Sequence, residues 1–116
     1  MFDIIKSLLI SLFKQSLDIK SREVKLFIFE DAFYCLSMRI VNTGTLPITI
    51  LMLAVKTGEE VEILKEWKDL FLEPGKKEEI YLNLDDITLN KSSRIYVVSA
   101  DGTKFYLSKK EYLKLV

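Results

Sequence analysis

The chain has no histidine and a single cysteine, Cys35, in 116 residues. Without imidazole, histidine-based zinc and haem sites and Ser-His or Cys-His nucleophile pairs are excluded, and one thiol cannot close an intrachain disulfide. Proline (2) and glycine (4) are scarce while apolar residues make up 49%, which excludes a disordered or low-complexity chain. Charge of one sign is missing too: 17 basic and 17 acidic residues cancel, so the chain lacks the cationic excess behind non-specific nucleic-acid binding, and no nucleic-acid partner is expected. Long apolar runs are absent, because Lys6 and Lys14 interrupt the most hydrophobic stretch well short of the roughly 20 residues a membrane span needs. That stretch also lacks the basic start and small-residue cleavage site of a signal peptide, so it is read as part of the mature protein. No GxGxxG, Walker A, GxSxG or HExxH motif occurs, nor the aromatic and basic pattern of an RNA-binding sheet.

What is present is enough for one domain with a two-layer core. Lysine, glutamate, isoleucine and leucine are abundant and asparagine and glutamine few, a bias met in hyperthermophile proteins. Residues 1–17 read as an amphipathic helix. At about 100° per residue Asp3, Ser7, Ser11, Lys14 and Asp18 form a polar stripe, and Ile5, Leu8, Leu9 and Leu12 lie on the apolar arc with Ile4 and Phe13. The helix has three destinations: its own sheet, a groove on a partner protein, or a membrane surface.

Residues 23–107 read as antiparallel strands separated by turns. The first runs over 23–29 and the second over 33–41, with Tyr34, Leu36, Met38 and Ile40 alternating against Phe33, Cys35, Ser37 and Arg39; Cys35 is expected to be a buried small hydrophobe. Asn42-Thr43-Gly44-Thr45 before Leu46-Pro47 is a turn signal, because Asn and Gly tolerate positive φ. Residues 46–55 are apolar on both faces, as suits a central strand. Residues 59–64 suggest an edge strand with Val61 and Ile63 inward and Glu60 and Glu62 outward. Trp67, Leu70 and Phe71 recur at helical spacing, so 65–72 is expected to be a short helical crossover. Pro74-Gly75 then turns the chain into a strand over 76–84, and a polar loop over 85–91 is stapled by Ile87 and Leu89.

The final hairpin fixes its own register. A three-residue loop of Ala100, Asp101 and Gly102 places Gly102 where a left-handed residue is wanted and pairs Val97 with Phe105 and Ile95 with Leu107. Arg94, Tyr96, Lys104 and Tyr106 then share the opposite face with Val98. Tyrosine and arginine are favoured at interfaces, so these four are the candidate contact residues, together with Ile5, Leu8, Leu9 and Leu12 of the helix. Residues 108–116 close the chain as a short helix, with Ser108 and Glu111 at capping-box spacing. The acid pairs Glu59-Glu60, Glu78-Glu79 and Asp85-Asp86 point to opposite faces if in strands. Asp85, Asp86 and Asn90 lack the glycine and ligand spacing of a calcium loop. No catalytic residue, metal site or cofactor is expected.

The segments LSMRIVNTGTLPITILMLAV, LEPGKKEEIYLNL and SRIYVVSADGTKFYL, spanning residues 36–107, together resemble the immunoglobulin-like sandwiches of archaeal surface appendages and related extracellular modules. In those an NTG-type turn follows an early strand and a PG turn precedes the strands leading to the final hairpin. The resemblance implies a mainly β, seven-stranded Ig-like sandwich acting in assembly, carries over no active-site residue, and implies a virion or cell-surface setting. Because the N-terminal helix is short and cut by lysines, it fits an accessory subunit or virion protein better than a pilin. The expectation is a non-enzymatic subunit of a thermophilic archaeal system that binds a protein partner or itself; the alternative is a small intracellular β domain that binds a ligand or regulator.

Overall fold

The computed structural model describes residues 15–28, 31–83, 87 and 89–113, with backbone alone for 24–28 and 31–33. The helix expected over residues 1–17, with Ile5, Leu8, Leu9 and Leu12, otherwise lies outside the described residues. Its last residue does not belong to a helix: Leu17 opens the first strand, which thus begins before the residue 23 expected.

Seven strands and one short helix follow one another: β1 (Leu17–Ile28), β2 (Asp31–Asn42), β3 (Ile48–Thr57), β4 (Glu60–Leu72), β5 (Lys77–Asn83), β6 (Ser93–Ser99), β7 (Lys104–Tyr106) and α1 (Lys109–Leu113). They form two antiparallel sheets, β1-β2-β5 and β4-β3-β6-β7. Alternation explains why the two sheets stack. Leu36, Met38 and Ile40 of β2 and Ile80 of β5 face Ile48, Ile50, Leu53 and Val55 of β3 and Ile95 and Val97 of β6, all buried in one core. Burying each such side chain contributes roughly 1.5–3 kcal/mol. Tyr112 of α1 enters the same core, and its hydroxyl donates to the carbonyl of Asn90. The helix starts under the cap expected for it, Ser108 Oγ accepting from the Glu111 amide at 3.2 Å.

β2 and β3 belong to different sheets, so residues 43–47 are a passage between layers rather than a hairpin. Gly44 is not what bends it: the glycines at left-handed φ are Gly58, Gly75 and Gly102. The bend comes from Asn42, which is buried. Its Nδ2 donates to the carbonyls of Leu46 (2.8 Å) and Leu72 (2.9 Å), and its Oδ1 accepts from the Gly44 amide (3.0 Å). Its backbone bonds Lys76 O and Gly75 N, so one residue ties the exit of β2 to the turn between β4 and β5. Pro47, with no amide hydrogen to give, ends the passage.

β4 differs most from its expected form. Residues 65–72 are not a helical crossover but the second half of one 13-residue edge strand. Against β3 its register slips twice, between Ile50/Met52 and between Leu53/Ala54, which inserts extra residues into β4. β3 itself carries an extra residue against β6 between Ile50 and Met52, and with that bulge the two slips change the inward phase of β4, so Leu64, Trp67 and Leu70 reach the core at intervals of three and imitate a helix. The same slips reverse the expected facing of the first half. Val61 and Ile63 point outward, opposite Lys56 and Ala54, while Glu62 lies opposite the core residue Val55. Cys35 is only partly buried, at the end of the β2–β5 ladder where its partner is Asn83, rather than the buried residue expected.

Candidate contact surface

The last hairpin has the expected register. Val97 lies opposite Phe105, the Leu107 amide donates to Ile95 O at 2.9 Å, and Gly102 takes a φ of 86° in the three-residue loop. Asp101 locks this loop by accepting from Ser99 Oγ and from the Thr103 amide. Those donors, Ser99 first, hold its carboxyl below the usual aspartate range.

On the outer face of this hairpin the structure brings together Arg94, Tyr96, Lys104 and Tyr106. The two tyrosines are direct cross-strand neighbours with ring centroids 5.3 Å apart and tilted by 44°. The cations take the diagonals: the Arg94 guanidinium sits 5.7 Å from the Tyr106 ring and Lys104 Nζ 5.3 Å from the Tyr96 ring. Tyr96 is thereby 4% exposed, a support beneath the face rather than its contact area.

The exposed apolar area lies further across the sheet. Register places Ile63, Ala54, Tyr96 and Tyr106 in one row over all four strands, and Glu66, Met52, Val98 and Lys104 in the next. On the other side of the Ile63 row Val61 stands opposite Lys56, and past Glu66 Phe71 stands opposite Thr49 on the same face. Val61, Ile63, Phe71 and Tyr106 are each 47–57% exposed, on a single face. Sequence reasoning missed Val61, Ile63 and Phe71 because it set the first two inward and placed the third in a helix; the pairing register across the bulges is the signal that finds them.

The other sequence candidates are scattered. Glu59 and Glu60 are exposed at the β3–β4 turn, and Glu78 and Glu79 alternate along β5, with Glu79 3.7 Å from Lys77 Nζ. Asp85 and Asp86 lie outside the described residues, and Asn90 Oδ1 already accepts from Ser92 and Ser93. Among the described residues no three His, Cys, Asp or Glu side chains gather as a metal site would require.

No family model and no curated protein matches the chain. Among solved structures it is similar to a crystal structure of a Bordetella pertussis protein designated ApaA, at 17% identity and a TM-score of 0.47, over 83% of this chain and 89% of that one. A likeness at that level carries no argument about what this chain does.

Proposed function

We propose that this protein is a non-catalytic, Ig-like assembly subunit that pairs with a second copy of itself through the outer face of β4-β3-β6-β7. The Ig-like part is supported by strand order: the first, second and fifth strands share one sheet and the third, sixth and seventh the other, with the fourth strand having changed partners relative to an immunoglobulin constant domain. A virion or surface-appendage subunit of a thermophilic archaeal system is the setting that the sequence resemblance favours.

The observation that carries the assembly reading is the outer face itself. Val61, Ile63, Phe71 and Tyr106 stand about half exposed on this one face, more large apolar surface than a sheet turned only to water needs. A second copy is favoured by the row Glu66, Met52, Val98, Lys104, which runs from an acid at the β4 edge through an apolar centre to a base at the β7 edge. A two-fold rotation about the centre of that row sets each Glu66 against the other copy's Lys104, the self-complementarity that an isologous dimer requires.

Sedimentation velocity over a concentration series tests this. The wild-type chain is expected to dimerise, Ile63→Lys and Glu66→Lys to weaken the dimer at least about tenfold, and the double swap Glu66→Lys/Lys104→Glu to recover most of the loss. A wild-type chain that stays monomeric at the highest attainable concentration, or a double swap no better than Glu66→Lys alone, would overturn the reading.

A further inference from the structure

The opposite side of the molecule carries a separate feature. Because Ile19, Met38, Ile40 and Ile80 are in the core, alternation turns Lys20 and Arg22 of β1, Ser37 and Arg39 of β2 and Tyr81 of β5 to the outer face of the three-stranded sheet. There they line a cleft of about 440 Å³, within the size range of small-molecule sites.

Cations adjoin one another in this cleft. Lys20 and Arg39 lie directly opposite each other across the antiparallel ladder, and Arg22 follows Lys20 on the same face. Like charges so placed repel. Among the described residues none of the three has an ion-pair partner: Glu79, opposite Arg39, has Lys77 beside it at 3.7 Å, and Glu111 sits at the cleft's lining from α1. The lining as a whole sets three cations, Lys20, Arg22 and Arg39, against two carboxylates, Glu79 and Glu111, in a chain whose total charge is zero.

We propose that this cleft binds a small polyphosphate-bearing anion. Two guanidinium groups offer planar forks that match phosphate oxygens, and the lysine adds a third charge. Neighbouring positions across and along the strands are about 5–7 Å apart, so these long side chains reach successive groups of a di- or triphosphate better than one isolated anion. The Ser37 and Tyr81 hydroxyls supply further donors. Tyr81, opposite Ser37 and 58% exposed, also offers a ring face on which the base of a nucleotide can stack. Bare polyphosphate and nucleoside triphosphate share the phosphate chemistry and differ only in the use of that ring. The site lies on the sheet opposite the assembly face and stands or falls independently of it.

Calorimetric titration of the full chain at low salt, with tripolyphosphate and with ATP as probes, tests the proposal. Saturable binding near one per chain is expected, weakened about tenfold or more by Arg39→Gln and steeply weakened by added salt. Arg22→Gln, removing a cation from the other strand, is the second variant and should weaken binding in the same direction. Loss of ATP but not tripolyphosphate affinity in Tyr81→Ala identifies a nucleotide as the ligand class; equal affinity of both probes, unmoved by that change, identifies the phosphate chain alone. Either result supports the site. Absence of saturable binding to both probes, or binding unchanged in both Arg39→Gln and Arg22→Gln while circular dichroism reports an intact fold, overturns it.

Discussion

Asn42 commits its whole side chain to backbone groups of the surrounding turns, two carbonyls and one amide, and it does so while buried. Alanine there leaves the buried Leu72 carbonyl without this partner and unties the Leu46 carbonyl and Gly44 amide at the passage. Asn42→Ala is therefore expected to cost about 2–4 kcal/mol in chemical denaturation, far more than an exposed turn asparagine would. Asp101 works on a smaller scale. Its carboxylate is favoured by the Ser99 and Thr103 donors, so its folded pKa lies below the unfolded one. The contribution to the hairpin is thus complete above the unfolded aspartate value and is lost as pH falls through the lowered folded value. Carboxyl titration by NMR should find Asp101 below the ordinary aspartate range in the wild type and shifted upward in Ser99→Ala. Both residues stand out in the sequence as turn formers, but which carbonyls Asn42 would bond depended on Leu72, thirty positions away.

β4 illustrates how an element can be misread from a correct pattern. Trp67 and Leu70 do share a side, as helical spacing suggested, but through bulges in a strand, and Phe71 lies on the other side with Ile63. The two arrangements differ in a measurable way. A helix plugging the sandwich would set Trp67, Leu70 and Phe71 inward together, so that removing either aromatic ring would be costly. The bulged strand predicts that Trp67→Ala costs roughly 2–3 kcal/mol, for lost packing against the core, and that Phe71→Ser stays within about 0.5 kcal/mol in dilute protein. Denaturant titration of the two variants separates the arrangements. Bulges also bend an edge and make it a poor template for added strands, and Lys65 and Lys68 on this exposed edge act the same way.

At the scale of the molecule, two sheets bury one face each and present two outer faces of different character. One exposes Val61, Ile63, Phe71 and Tyr106 among scattered charges; the other holds a cleft lined by three cations and two carboxylates. Neither contrast is visible in a chain of zero net charge and even hydropathy, because each face draws its residues from three or four strands spread over the sequence. What the sequence determined by itself was local: the antiparallel β character, the turns at Gly75 and Gly102, the register of the last hairpin and the capped C-terminal helix. Each of these depends on φ preferences, alternation or loop length within a few residues. The tertiary structure alone decided which strands share a sheet, where β4 slips against β3, and hence that Ile63 joins Tyr106 and Lys20 faces Arg39. Those outcomes depend on pairing between distant segments, and a slip of one residue moves a whole strand's side chains to the other face.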